Sequence, residues 1–439
     1  MLDIKFIQAN KEAVRENIKN RGVKVDVDRL LELDEQRRKI IVQIEALRAS
    51  QNKANDEIAK EKDSAARQIK IDEMKKVKEE LAKLEPSLKK IEEEYASLLM
   101  LVPNMAMFDV PKGKDENENV PLRQVGQVPE FDFKPKEHWE IGEALDIIDT
   151  KRAAKVSGAR FSYLKGELAL MEFALIQLVF SVVTDESVLK KIIKSAKLDI
   201  EPKPFIPIVP PVLIKTESFK RMARLEPKEE RYYIPEDDLY LIGSAEHTLG
   251  ALHMEETFNE ADLPRRYIGF STAFRREAGS YAKDLKGILR VHQFDKAEME
   301  SFCLPEKSIA EQNFFVAIQE YLMQLLKIPY QVVMICTGDM GSPDARQIDI
   351  EAWLPGQNRF RETHTADLMT DYQASNLNTK VKRQDGKTEF VHMNDATAFA
   401  IGRTLIAIVE NYQQADGSVE IPKVLRPWMG GIKYIKPKK

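Results

Sequence analysis

The 439-residue sequence predicts an α+β protein, with an N-terminal antiparallel helical coiled-coil arm followed by a larger domain of strands and helices. Three observations carry this prediction. Apolar residues recur in a heptad rhythm along two consecutive N-terminal stretches. A proline-rich junction then ends that rhythm. The remaining chain alternates short apolar strands with amphipathic helices, and no Gly-x-Gly-x-x-Gly run follows a strand.

In the first stretch, from Leu30 to Ile58, the seam is Leu33, Ile40, Ile44, Leu47, Ala54 and Ile58, interrupted by Arg37 and Gln51. The second runs from Met74 through Val77, Leu81, Leu84, Leu88, Ile91, Tyr95 and Leu98. A seam on each of two helices requires a partner, and the nearest partner is the other helix. Lys60 to Ala66, charged and small, suits the hairpin tip. Arms of about 30 residues would project on the order of 45 Å. Pro86 falls inside the second seam and predicts a kink or a helix restart. On its own, such a hairpin suits a dimerisation element or spacer as well as an RNA-binding arm. Its cations, among them Arg38, Lys53, Lys75, Lys76 and Lys83, alternate with acids, as on a solvated face.

Pro103, Pro111, Pro121, Pro129 and Pro135 argue against a long helix between Val102 and Trp139. The expected division is residues 1–102, a junction over 103–139, and a catalytic domain over 140–439.

The densest chemistry lies between Arg275 and Glu300. Phe274-Arg275-Arg276-Glu277, an Ala278-Gly279-Ser280 connector, Arg290-Val291-His292-Gln293-Phe294 and Glu298 read as two adjacent antiparallel strands facing one polar pocket. A guanidinium presents a planar fork that suits phosphate or carboxylate, and carboxylates suit an amine, an amide edge or a metal. The predicted ligand is zwitterionic and phosphorylated.

Composition narrows the class further. A chain of this length predicts two domains. A formal charge of -4 requires any nucleic acid to be held by local patches. Two cysteines, Cys303 and Cys336, exclude a disulfide framework and a cysteine-rich zinc site. Met1-Leu2-Asp3-Ile4-Lys5 lacks the layout of a secretory signal. The longest apolar run, Leu168 to Val183, is broken by Glu172 and Gln177 and falls short of the roughly 20 residues of a bilayer span. It reads as a buried helix in a soluble, cytoplasmic protein without membrane contact.

The arginine-acid stretch resembles the second signature motif of class II aminoacyl-tRNA synthetases, and the order of motifs resembles the seryl-tRNA synthetase family. After the hairpin come Ala153-Ala154-Lys155-Val156-Ser157-Gly158, Val209-Pro210-Pro211, the arginine-acid strands, Thr337-Gly338-Asp339-Met340-Gly341 and Ile401-Gly402-Arg403. The resemblance implies a class II antiparallel sheet flanked by helices and a homodimer formed through the segment around Pro210 and Pro211. It further implies ATP and L-serine as substrates, serine tRNA gripped by the arm through shape, and selenocysteine tRNA as a second candidate. Backbone and shape recognition is what RNA helices permit, since their major groove is too narrow for side chains.

The resemblance also assigns roles. Arg275 bridges the α-phosphate and the serine carboxylate, and Arg403 holds the γ-phosphate. Glu277 accepts from the adenine amino group, with Phe294 stacked on the ring. Arg276, Val291 and Glu362-Thr363-His364-Thr365 complete the ATP site, with Glu362 and Thr365 on Mg2+. Ser244-Ala245-Glu246, Glu298, Asp395 and Thr397 form the serine pocket; Glu298 and Thr397 read the hydroxyl, and Glu246 and Ser244 the ammonium region. His292 and His364 lack zinc-ligand spacing and read as supporting residues.

This chain departs from the family pattern at four places. Ser244 replaces threonine, Asp395 replaces asparagine, and Gln373-Ala374-Ser375-Asn376 replaces Gln-Ala-Arg-Arg. Arg221-Met222-Ala223-Arg224-Leu225-Glu226 stands in place of a glycine-rich loop. Two other functions compete: activation of serine or another small amino acid for a carrier protein, and a catalytically dead RNA-binding relative. The retained arm opposes the first, and the intact Arg275, Glu277, Glu298, Glu362 and Arg403 oppose the second.

Overall fold

The computed structural model describes residues 1–278, 284 and 286–438. The predicted connector at Gly279 and Ser280 lies outside the described residues. The chain divides into two compact units, Met1–Pro103 and Asn104–Lys439.

In the first unit two long helices, α1 (Val27–Lys60) and α2 (Ser64–Leu101), are joined by three residues. Asp26 caps α1 and Asp63 caps α2 through side-chain bonds to first-turn amides. The ion pairs Arg29–Glu94, Arg48–Glu85 and Lys70–Glu57 link the helices so that one index falls as the other rises, which marks antiparallel packing. Leu33, Ile44 and Leu81 are buried, and the remaining predicted seam residues are half-buried between exposed neighbours. The expected interruption at Pro86 does not occur as a restart. Pro86 is exposed and α2 is assigned without a break through it, so its ring faces solvent rather than the seam.

The second unit is built on an eight-stranded sheet. Its strands are β1 (Val120–Val125), β2 (Ile206–Ile208), β3 (Arg265–Phe274), β4 (Gln293–Cys303), β5 (Tyr330–Met334), β6 (Arg346–Leu354), β7 (Arg359–Thr370) and β8 (His392–Ala400). They lie in the order β1-β5-β6-β7-β8-β4-β3-β2, antiparallel throughout except for the parallel pair β2–β3. Because a strand alternates its faces, Ala297 and Met299 of β4 and Ala396 and Ala398 of β8 enter the apolar core, while Glu298, Asp395 and Thr397 take the other face. Against that core pack α3 (Glu167–Val183), α4 (Ser308–Leu326) and α5 (Ile401–Asn411). The predicted buried helix is α3, with Leu168, Met171, Leu175, Val179 and Val183 fully buried. Among the described residues, no single helix is long and apolar enough to cross a membrane.

Candidate active site

The polar face of β4, β7 and β8 opens into a cleft lined by Arg275, Glu277, Val291, Phe294, Lys296, Glu362, Thr363, Thr365, Thr397 and Arg403. Strand pairing brings together residues that are far apart in sequence. Glu298 lies directly across from Thr397, and the hydroxyls of Thr365 and Thr397 meet at 3.4 Å.

Arg275 to Glu277 follow the last residue of β3, so strand alternation does not orient them, contrary to the simple reading of the sequence. Hydrogen bonds do so instead. The Arg275 amide donates to the His292 carbonyl at 3.0 Å, and its Nε donates to the Gly243 carbonyl at 3.1 Å. Its guanidinium lies 5.3 Å from the centre of the Phe294 ring. Glu277 has a left-handed backbone (φ 51°) and accepts from Arg290 at 2.7 Å. At the other end of the cleft, Arg403 near the start of α5 donates to Glu362 at 2.6 Å.

The amino-acid end is built where the short helix Glu246–Leu249 crosses β3. Gly269 permits this crossing: a Cβ there would lie 2.8 Å from the Leu249 side chain. Gly269 pairs with Glu298 across the strands, which sets Glu246 near Glu298. The ligand oxygens of Glu246, Glu298 and Asp395 lie within 4.8 Å of one another. Ser244 Oγ accepts from the Glu246 amide at 3.3 Å, and Ala245 is buried beside them. Lys296, two residues before Glu298 on the same face, contacts its carboxylate at 2.7 Å. Burial raises the Glu298 carboxyl to about 6 despite that ammonium. Burial, the largest influence, would also raise Glu246, but Arg224, His247, Lys296 and Arg275 together outweigh it and hold the group at about 2.

Three expected ligands are placed differently. Arg276 is exposed and lies over the Tyr232 ring, away from the cleft. His364 is buried against Phe399, with Nδ1 2.8 Å from the Thr363 hydroxyl, and burial lowers it to about 3. It is a neutral packing residue, because β7 turns it to the face opposite Glu362 and Thr365. Asp395 is 1% exposed and shares Arg224 with Asp344 at 3.5 and 3.2 Å, so it does not present an unopposed charge to the pocket. The sequence reading also missed Lys296, although the Lys296, Glu298, Glu300 alternation on β4 was a usable signal.

The amino-acid sequence matches two families in the same order as these units. Residues 1–106 match the seryl-tRNA synthetase N-terminal domain, and residues 230–412 match the tRNA synthetase class II core domain (G, H, P, S and T). A serine–tRNA ligase of Thermodesulfovibrio yellowstonii is 41% identical over 436 residues, covering 98% of this chain and 99% of the relative. The chain belongs to the seryl-tRNA synthetase family. Among solved structures, a seryl-tRNA synthetase from Pyrococcus horikoshii complexed with ATP superposes with a TM-score of 0.84 at 36% identity, covering both chains fully. The cytoplasmic serine–tRNA ligase of Naegleria fowleri in complex with AMP gives 0.79 at 32%, covering 100% of this chain and 99% of that one.

Proposed function

We propose that this chain is a serine–tRNA ligase that activates L-serine with ATP and transfers it to the 3′ end of serine tRNA. The observation that carries the reading is that one cleft gathers Arg275, Glu362, Thr397 and Arg403, and that Arg275 lies within electrostatic reach of both Glu362 and the buried acids Glu246 and Glu298. A nucleotide's phosphates suit the cationic end and a small ammonium suits the acidic end.

In the first step a serine carboxylate oxygen forms a bond to the α-phosphorus of ATP, the bond to the β-phosphate oxygen breaks, and pyrophosphate leaves with that electron pair. Two anions meet, so positioning and charge neutralisation outweigh proton transfer. Arg275 stands between the phosphate and amino-acid ends and suits a bridge between them. Arg403 suits the γ-phosphate, Glu277 the adenine amino group and Phe294 the ring. In the second step the terminal adenosine hydroxyl forms the ester and AMP leaves.

Mg2+ fits the donor set at Glu362 and Thr365. Both offer hard oxygen ligands to the cleft, and Asp349 lies across from Thr365 in the β6–β7 pair. Held by Glu362 and Thr365, it would supply positive charge to neutralise the phosphates during activation.

The reading is tested by ATP–pyrophosphate exchange with each of the twenty amino acids, followed by charging of serine tRNA. Serine alone should support strong exchange. Comparable exchange with alanine, or none with serine, would refute the assignment, because buried acceptors left unpaired penalise an analogue without the hydroxyl.

A pH dependence follows from Glu298. Its ionised form accepts from serine and attracts the ammonium, and its carboxyl titrates at about 6. Protonation on acidification removes that acceptor, so the serine KM should be flat above this value and rise toward tenfold per pH unit below it. The profile should flatten in Glu298→Gln, and an unchanged profile in that variant would assign the titration elsewhere.

A homodimer formed around Pro210 and Pro211 is supported by exposed apolar surface next to the edge strand β2. Val209 is 86% exposed, and Ile206 and Leu213 are also exposed. Function in the cytoplasm agrees with the serine-tRNA substrate.

A further inference from the structure

The base of the amino-acid end gathers more carboxyl groups than one substrate ammonium can balance, and burial pushes Glu300, Asp367 and Asp395 well above the usual carboxylate range. Glu300 of β4, Asp395 of β8 and Asp367 of β7 are directly opposite one another across three adjacent strands. All three are buried, and like charges directly opposed on a sheet are destabilising. Glu246 and Glu298 lie on the same side, with Glu246, Glu298 and Asp395 forming a compact triad. Both carboxylate oxygens of Glu300 are buried without a hydrogen-bond donor, and Glu298 meets the Lys296 ammonium at 2.7 Å. Such oxygens are costly unless another group supplies protons or charge.

Arg224 supplies that charge. It extends from the loop after the helix Thr216–Arg221, and its guanidinium is in ionic contact with Glu246. It reaches Asp344 at 3.2 Å, Asp395 at 3.5 Å and Asp367 at 3.9 Å. Its contact with Glu246 is charge against charge, without the alignment of a hydrogen bond. Burial opposes the arginine's charge, but Glu246, Asp344, Asp395 and Asp367 together raise its pKa well above the ordinary value.

The loop is held in this direction by several contacts. Gln373 Nε2 donates to the Met222 carbonyl at 3.1 Å, Arg221 Nε donates to the Asn376 carbonyl at 2.7 Å, and Arg231 donates to the carbonyl of Arg224 itself at 2.8 Å. Ala223 adopts a left-handed backbone (φ 54°), a conformation that costs energy for a residue with a Cβ and persists only where its surroundings impose it. Gly341 leaves room for the guanidinium, since a Cβ there would lie 3.1 Å from Arg224 Nη1. The 221–226 loop therefore touches two of the other departures singled out in the sequence, Asn376 through Arg221 and Asp395 through Arg224.

We propose that Arg224 is a positioning residue for L-serine, which holds Glu246 for the substrate ammonium and, as one unit with Asp395, forms the base of the serine pocket. The proposal rests on the assignment of Glu246 and Glu298 to serine. Glu246 then meets the ammonium from a carboxylate already fixed on one side by a guanidinium. Asp395 is tolerated at the base because burial and Glu246 push its carboxyl toward the protonated form and the same guanidinium faces it.

The test is serine- and ATP-dependent pyrophosphate exchange by the full-length protein, with thermal melting of each variant. Arg224→Met should raise the serine KM at least thirtyfold while the ATP KM stays within twofold. Arg224→Lys, which keeps the charge but loses the fork, should fall between. Asp395→Asn should raise the serine KM only severalfold alone, yet lower it when added to Arg224→Met, because it removes a carboxylate left without its cation. An unchanged serine KM in Arg224→Met, a parallel rise in both KM values, or additive effects of the pair would overturn the proposal. If Arg224→Met does not fold, the cycle of Arg224→Lys with Asp395→Asn is decided by the same criterion, and additivity overturns it. Glu298→Gln, run in parallel, separates the two levels. No effect there would overturn the serine-pocket assignment itself, whereas a raised KM there with none in Arg224→Met would overturn only the role of Arg224.

Discussion

Arg275→Ala should reduce serine-dependent pyrophosphate exchange by about a hundred- to a thousandfold or more while leaving the assembly state and melting temperature unchanged. The magnitude follows from position. Arg275 stands between the phosphate-suited and amino-acid-suited ends of the cleft, oriented by the Gly243 and His292 carbonyls and by the Phe294 ring. A pre-oriented charge aimed at a developing pentacovalent phosphate acts mainly in the transition state, so the loss should fall chiefly on kcat. Arg275→Lys should recover little, because an ammonium cannot supply two parallel donors to a phosphate and a carboxylate. The measurement is steady-state exchange on protein whose melting curve matches the parent. Exchange within a few-fold of the parent by a folded Arg275→Ala protein would remove Arg275 from the chemistry.

The second large effect separates the two units. Replacing residues 26–101 by a short linker should leave serine-dependent pyrophosphate exchange near normal and reduce charging of serine tRNA by orders of magnitude. The helices α1 and α2 bury their apolar seam against each other, and every residue assigned to ATP and serine lies in the second unit. In the intact protein, charging should also weaken with rising salt, as phosphate contacts do. Both activities are measured on one preparation at sub-saturating tRNA. Undiminished charging without the arm would reduce the hairpin to a spacer.

Much of this was legible in the sequence where the signal is local. The heptad rhythm of Leu33 to Ile58 and Met74 to Leu98 identifies the two helices, and the cluster from Arg275 to Glu298 locates the cleft at the connection between β3 and β4. Of the kink or restart expected at Pro86 the restart is absent, because α2 continues through the residue, which is exposed. His364 is buried in keeping with the supporting role read for it, whereas Arg276 turns away because a motif names a segment and the loop after β3 decides which side chains enter the cleft. On β7 a register shift between Glu362 and His364, which no motif reveals, sets their faces apart. Arg224 was noticed only as a departure. Its partner Asp395 lies 171 positions away, and nothing local connects an arginine in a loop with an aspartate on a strand until β7, β8 and β4 set the acid row beneath it.

The burial profile of the arm has a mechanical consequence. Near its base, Val27, Leu30, Leu33 and Leu99 are buried, and Ile44 and Leu81 extend that packing partway along. Between residues 45 and 80 no side chain is fully buried. The outer portion is held by half-buried contacts and by exposed pairs such as Lys70–Glu57, each worth roughly 0–1 kcal/mol. Local opening free energy therefore declines from base to tip. The arm behaves as a tapered rod, stiff where it must keep a direction and compliant at its end. Such an end can follow the contour of a folded RNA at the cost of ordering its last turns on contact.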